Sequence, residues 1–222
     1  MASTFAKCLR SAVQCHNVSR ALMQSGRAFY PGVRQYSTTL ADLVKREVDQ
    51  EKANLDQTEI PVPAGFQLQD KSGSTMIVLK SNYEDEVITV QASIPPKMEF
   101  DTPYEQLSIA FDVLVEKKTG VMEFQCSTAE MGFDVDSLAI FDEKEKKIAK
   151  EESAEADHQR DMKYRGPALE DLEGELQESI AEFLEVRGVT EEMARYIQKY
   201  IKDRKEPAEY LRWLEGLHRT VS

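Results

Sequence analysis

Apolar residues in this chain first follow a helical period and then a strand period. Over residues 40–55 they recur at intervals of three and four, and Thr39 and Asp42 have capping-box spacing, which together predict a helix. The run Ile60-Pro61-Val62-Pro63 ends it. Beyond this run apolar and polar residues alternate with a period of two, which predicts half-buried strands over residues 66–69, 75–80, 88–94, 107–115, 122–126 and 133–141.

The connections between these strands are short or polar and contain no helix, which favours an antiparallel sheet. Lys117-Lys118-Thr119-Gly120 is predicted to be the turn of a hairpin between two of the strands. A further short strand is predicted around Met162 and Tyr164.

The C-terminal third returns to a helical period. Pro167 precedes a predicted helix that Arg187-Gly188 closes, with Gly174 in its interior. Thr190 is expected to cap a second helix, which Pro207 kinks or restarts because proline lacks an amide proton. The fold class is therefore α+β. We expect helices from both ends of the chain to cover one face of the sheet, and solvent or another subunit to cover the other.

The first 41 residues differ in charge from the rest of the chain. They contain five basic residues and no acid, whereas all 40 acids lie at or after Asp42. A basic segment rich in Arg, Ser and Thr with interleaved aliphatic residues is typical of a mitochondrial transit peptide. Arg34-Gln35-Tyr36-Ser37 matches the matrix-processing pattern, so we expect residues 1–36 to be removed. The remaining chain keeps 23 basic and 40 acidic residues, which changes the formal net charge from −12 to −17.

Two other interpretations of residues 1–36 are a disordered basic tail and an arm that binds nucleic acid. A secretory signal fits less well, because no uninterrupted apolar stretch is followed by small residues. Residues 37–222 suffice for a single domain with a substantial core. No stretch approaches the roughly 18 apolar residues that span a bilayer. A strongly negative chain repels nucleic acid and attracts basic proteins, so we expect neither direct nucleic-acid binding nor a membrane span.

Residues 142–161 combine many acids with lysines and contain no Gly, no Pro and few apolar side chains. This composition predicts a flexible acidic loop that does not fold onto the core. One interpretation is a solvated loop without a dedicated role, and the other is a segment that engages basic partners. The candidate partner-binding residues are Asp142, Glu143, Glu145, Glu151, Glu152, Glu155 and Asp157.

No combination of residues indicates a catalytic site. After removal of the leader only His158, His218 and Cys126 remain as His or Cys, and the glycines occur singly, without a phosphate-binding pattern. Cys126 is expected in the core. We therefore expect a protein that is not an enzyme and has no cofactor and no defined metal site. The alternative is a carboxylate-based divalent-metal-binding protein or a metal-dependent hydrolase. A helix-in-groove surface on the amphipathic ends is a third possibility, although burial in the core explains those stripes more simply.

A group of residues in the C-terminal third resembles the mitochondrial acidic matrix protein family, also called the mitochondrial glycoprotein family, whose animal members bind complement and hyaluronan. The residues that carry the resemblance are Tyr164-Arg165-Gly166-Pro167, Leu172, Leu176-Gln177, Phe183-Leu184-Glu185, Arg187-Gly188-Val189, Tyr200, Lys205-Glu206, Glu209-Tyr210, Trp213-Leu214 and Leu217.

The resemblance implies a twisted seven-stranded antiparallel sheet, flanked by one N-terminal and two C-terminal helices, in a ring-shaped homotrimer. It also implies a protein of the mitochondrial matrix that supports mitochondrial translation and respiratory-chain biogenesis. Together with the charge, this leads us to expect an acidic scaffold or chaperone that binds basic matrix proteins.

Overall fold

The computed structural model describes residues 39–55, 58–96, 106–130, 132–151 and 153–222. The predicted first helix is confirmed as α1, Leu40–Asn54. Its capping box is formed on both sides: the Thr39 hydroxyl oxygen accepts a hydrogen bond from the Asp42 amide at 3.2 Å, and the Asp42 carboxylate accepts one from the Thr39 amide at 3.1 Å. The predicted leader, residues 1–36, and its cleavage site near Ser37 lie outside the described residues.

The predicted antiparallel sheet is confirmed. Its strands are ordered in space as they are along the chain, and each neighbouring pair is antiparallel. The described residues contain six strands: β1 Gln67–Asp70, β2 Met76–Tyr83, β3 Glu86–Ser93, β4 Ala110–Lys117, β5 Gly120–Ala129 and β6 Gly132–Asp142.

The β4–β5 hairpin is confirmed as well. Lys117 pairs with Gly120, so Lys118 and Thr119 form the turn. A Cβ atom at Gly120 would lie 2.2 Å from the Phe141 carbonyl oxygen, and only glycine fits this position without a shift of the backbone.

The seventh predicted strand, around Met162 and Tyr164, is not a strand in the described part of the chain. The segment contributes one backbone hydrogen bond to the sheet, from the Leu138 amide to the Arg165 carbonyl oxygen at 3.3 Å. Gly166 follows with φ of 72°, and Pro167 has no amide proton, so a longer ladder does not continue.

The C-terminal third is helical, with bounds that differ from the prediction. After a short 3₁₀ turn, Leu169–Asp171, the helices are α4 Gly174–Glu185, α5 Glu191–Tyr200 and α6 Glu206–Val221, and a π-helical segment, Ile201–Lys205, joins α5 to α6.

Two local predictions in this region are corrected and a third is confirmed. Gly174 is the first residue of α4, so the cost of glycine in a helix interior does not apply. Thr190 occupies the N-cap position of α5, but its side chain makes no capping hydrogen bond. Pro207 restarts the α-helix, as predicted: the hydrogen-bond pattern widens to the π type just before it, and Pro207 lies in the first turn of α6, where its missing amide proton is tolerated.

The main core lies between one face of the sheet and the C-terminal helices. Apolar side chains of β2 to β5 pack against Leu184 of α4, Met193 and Ile197 of α5, and Ile201 of the π segment, all of which are fully buried. Cys126 lies in this core, 1% exposed, as predicted. Helix α1, which was expected to cover the sheet, packs against α6 instead, through Val44, Val48 and Leu214.

The predicted loop over residues 142–161 contains two short helices, α2 Lys146–Lys150 and α3 Ala154–Asp161. Ala149 is buried in a second apolar cluster with Leu114, Val121 and Phe141, on the sheet face opposite the main core. The composition rule failed here because the buried side chains are mainly alanines, whose small apolar area hardly changes the average polarity of the segment.

Candidate partner-binding surfaces

The acidic segment, residues 142–161, lies over the β4–β6 part of the sheet. Of the seven candidate partner-binding residues, Glu145 is partly buried and Glu152 lies outside the described residues; those that are solvent-exposed are Asp142, Glu143, Glu151, Glu155 and Asp157. The structure therefore leaves most of the predicted carboxylates exposed to solvent.

Several carboxylates of the acidic segment are already paired within the chain. Glu145 accepts a hydrogen bond from Lys163 Nζ at 2.6 Å, which lowers the pKa of Glu145. Glu151 lies 3.5 Å from Lys147, and Asp157 forms an ion pair with Arg160. Because the segment also carries exposed lysines, its surface charge is mixed.

A second and more uniformly acidic surface lies between β6 and α4. It is a groove of about 800 Å³, and the first half of β6 forms part of its lining. No Lys or Arg is among its described lining residues, whereas six acids are: Asp134, Asp136, Glu170, Glu178, Glu185 and Glu191. We call this feature the acidic groove.

The acidic groove runs along a strand edge. In the described residues β6 pairs with β5 alone, so the backbone groups on its outer side have no strand partner apart from the contact of Leu138 with Arg165. An apolar trough of about 360 Å³ continues along the same edge, with Ile140 and Tyr164 among its lining residues. These two side chains are 63% and 79% exposed. An extended peptide would find here backbone hydrogen-bonding groups, negative charge and apolar contacts in sequence.

Sequence reasoning missed the acidic groove because its two walls come from distant parts of the chain. The only signal was periodicity: Asp134 and Asp136 alternate along β6, and Glu178 and Glu185 are separated by two helical turns on α4. Only the packing of α4 beside β6 brings these two series together.

A third group of polar residues is buried beneath the acidic segment. Glu123, 5% exposed, accepts a hydrogen bond from Arg165 Nη2 at 2.9 Å through one carboxylate oxygen, while its other oxygen has no hydrogen-bond partner. The pKa of the nearby Asp112 is raised to about 6, first by burial of its carboxyl group and second by the negative charge of Glu123. The cavity at these residues is about 60 Å³, room for a few water molecules and too small for an organic substrate.

The remaining candidates for chemistry do not converge. His158 lies on α3 and His218 near the end of α6, and the described part of the chain contains no group of three or more His, Cys, Asp or Glu residues arranged to hold a metal ion. Burial raises the pKa of the Cys126 thiol, which disfavours the thiolate that a nucleophile requires. Among the described helices, none combines the length and apolar character needed to cross a bilayer.

The fold and surface define a class: an α+β protein with one antiparallel sheet, C-terminal helices on one face and a markedly acidic exterior. The family model described as "Mitochondrial glycoprotein" matches residues 44–221. The chain belongs to the mitochondrial glycoprotein family, as the C-terminal residues indicated.

Relatives and solved structures agree with this membership. The mitochondrial acidic protein mam33 of Schizosaccharomyces pombe is 25% identical over 208 residues, which cover 80% of this chain and 76% of the relative. An uncharacterized mitochondrial protein of Arabidopsis thaliana is 28% identical over 196 residues, 81% of this chain and 72% of the relative.

Two solved structures share the fold. A Leishmania major protein described as a sequence homologue of human p32 superposes with a TM-score of 0.70 at 28% identity, covering 82% of this chain and 98% of its own. The Trypanosoma brucei p22 protein superposes with a TM-score of 0.69 at 29% identity, covering 82% and 96%. The similarity thus extends over the described domain and supports a mitochondrial acidic protein.

Proposed function

We propose that this protein is a non-enzymatic acidic scaffold or chaperone of the mitochondrial matrix that binds basic proteins. The observation that carries the proposal is the acidic groove, in which six carboxylates surround an open strand edge without a lysine or arginine among the described lining residues. Such a groove attracts a cationic segment over a distance and positions it by backbone hydrogen bonds.

The groove is the better of the two acidic surfaces for this role. In the acidic segment, Glu145, Glu151 and Asp157 are paired with cations of the same chain, so a basic partner has to compete with those cations. In the groove, Glu191 pairs with Arg195, whereas Asp134, Glu178 and Glu185 are exposed and have no ion pair with a described residue. The seven carboxylates predicted from sequence remain candidates for a peripheral contact that adds to long-range attraction.

Family membership supports the biological setting. Import through a leader of residues 1–36, removal of that leader near Ser37 and assembly into a homotrimer are part of the proposal, as is support of mitochondrial translation and respiratory-chain biogenesis. N-terminal sequencing of the protein from isolated mitochondria tests the cleavage, with a start near Ser37 expected. Light scattering of the processed protein tests the assembly, with three times the chain mass expected.

Salt dependence tests the binding mode. Titration of the processed protein with an arginine- and lysine-rich peptide of about ten residues is expected to give an affinity that falls at least tenfold between low and physiological salt, because exposed charges are screened over about 8–10 Å at physiological ionic strength. A peptide of the same length with glutamates in place of the cations is the control and is expected not to bind. Equal binding of the two peptides, or binding of the basic peptide that salt does not change, would refute the proposal.

A further inference from the structure

Helix α1 is attached to the rest of the described domain mainly through one partner, α6. Their contact is a small apolar cluster in which Val44, Val48 and Leu214 are buried, and Tyr210, Leu211 and Leu217 are partly buried. This cluster is separate from the core between the sheet and the C-terminal helices. Detachment of α1 would therefore leave the main core intact and expose the apolar face of α6.

A carboxylate interrupts the apolar face of α1. Val44, Val48 and Glu51 follow one another at intervals of four and three, which places all three on the face toward α6. Glu51 is 7% exposed. A second carboxyl group belongs to Glu206, the first residue of α6. It lies close enough to Glu51 for their negative charges to repel each other.

Neither of these two carboxyl groups has a lysine or arginine within ion-pair distance among the described residues. Lys52, the neighbour of Glu51, pairs with Glu215 at 2.7 Å. Lys205, the neighbour of Glu206, forms ion pairs with Asp70 and Glu209. The other charged group that acts on Glu51 is Glu47 on the same helix, which is also negative. Among the described residues, the interface therefore holds two carboxyl groups without a counter-ion.

Burial, and next the repulsion from Glu51, raise the pKa of Glu206 to about 7. The pKa of Glu51 is also raised, first by burial and second by the negative charge of Glu47. A carboxyl group whose pKa is raised in the docked state favours docking when it is protonated, and this contribution is lost as the pH rises through the docked-state pKa. For Glu206 the relevant window therefore extends from its ordinary pKa of 4.5 up to about pH 7.

We propose that Glu51 and Glu206 form a proton-controlled latch that holds α1 on α6 and releases it when both carboxyl groups are ionised. Release uncovers the apolar residues Tyr210, Leu214 and Leu217 of α6, so the latch couples pH to the exposure of an apolar surface. The inference is independent of the acidic groove and of the proposed binding of basic proteins.

Amide hydrogen exchange on the whole processed protein at pH 6 and pH 8, corrected for intrinsic rates, tests the latch. In the wild type, opening of residues 44–54 is expected to increase about tenfold from pH 6 to pH 8, the change for one carboxyl group with a docked pKa near 7 and an ordinary free value. In Glu206→Gln the same amides are expected to stay protected at both pH values.

The matched control is Glu192→Gln, which removes an exposed carboxylate of α5. It is expected to keep the pH response of the wild type. Amides of β3 to β5 report on the main core and are expected to exchange equally in the wild type and in the variants Glu206→Gln, Glu51→Gln and Glu192→Gln, so that misfolding of a variant is recognised. Protection of α1 that does not change with pH in the wild type, or a pH response that persists in both Glu206→Gln and Glu51→Gln, would overturn the latch.

Discussion

Arg187 donates two hydrogen bonds to the carboxylate of Glu86, which lies 101 residues away in the sequence, from Nε at 2.6 Å and from Nη2 at 2.9 Å. Lys117 adds an ion pair at 2.7 Å. The guanidinium group also lies over the Phe183 ring, 3.4 Å from its centroid. One buried carboxylate therefore connects the start of β3, the β4–β5 turn and the end of α4.

Removal of one partner of this ion pair is expected to destabilise the fold strongly. Arg187→Met leaves the Glu86 carboxylate, 6% exposed in its side chain, without its main partner, and breaking a buried pair costs about 3–5 kcal/mol. Urea unfolding at pH 7 measures the loss. Arg195→Met is the control, since Arg195 pairs with Glu191 at the surface and its loss should change the free energy of unfolding by less than about 1 kcal/mol.

The same network predicts a response to acid. The hydrogen bond from Arg187, followed by the one from Lys117, outweighs burial and lowers the pKa of Glu86 from its ordinary 4.5. The contribution of Glu86 is therefore present above pH 4.5 and is lost as the pH falls toward the lowered value. The difference in the free energy of unfolding between wild type and Glu86→Gln should shrink on acidification from pH 6 to pH 3. A difference that grows over this range would contradict the assignment.

Asp112 is expected to show the opposite pH dependence. Because burial and Glu123 raise its pKa to about 6, the native state gains stability as the pH falls through 6, and the ionised form is unfavourable above it. Asp112→Asn is thus expected to stabilise the protein at pH 8 by about 1–2 kcal/mol and to have little effect near pH 4, close to the ordinary pKa of 3.8 at which the native and the unfolded state both bind the proton. Urea unfolding at the two pH values checks this. Equal stability of variant and wild type at pH 8 would show that the ionised Asp112 carboxylate does not destabilise the native state.

Two glycines provide a matched pair for the backbone. Gly188 has φ of 84°, and a Cβ atom there would lie 2.9 Å from the Phe66 ring, so Gly188→Ala is expected to destabilise by about 1–3 kcal/mol. Gly216 lies inside α6, where the nearest atom, 3.9 Å away, belongs to the flexible Arg219 side chain. Gly216→Ala is expected to stabilise by up to about 1 kcal/mol. Thermal unfolding of both variants tests the opposite signs.

The sequence predicted those elements whose pattern is local and strong. The alternation in β3 to β5 and the capping box of α1 identified these elements because burial on one face imposes a regular period. Helices α2 and α3 were not predicted, since Ala149 and Ala156 bury too little area to stand out among charged neighbours. The π segment was not predicted either; its last residue, Lys205, pairs with Asp70 on β1, which is a tertiary contact without a local signature.

The sequence predicted that the candidate site is acidic, but it did not predict where on the fold the site lies. The excess of acid indicated a surface for basic partners, but several acids of the longest local run, residues 142–161, form ion pairs with cations of the same chain. The acidic groove is lined by residues of both β6 and α4, such as Asp134 and Glu178. No window of sequence contains both, so only the packed structure shows that they share a surface.

The affinity of two charge-matched variants for one basic peptide tests the central claim most directly. The groove variant Asp134→Asn/Glu178→Gln/Glu185→Gln and the control variant Glu143→Gln/Glu151→Gln/Glu155→Gln each lose three exposed carboxylates and have the same net charge. Calorimetric titration at low salt is expected to show at least tenfold weaker binding for the groove variant and less than threefold for the control, because close charges act more strongly than distant ones. Equal losses in the two variants, or a larger loss in the control, would contradict the acidic groove as the binding site.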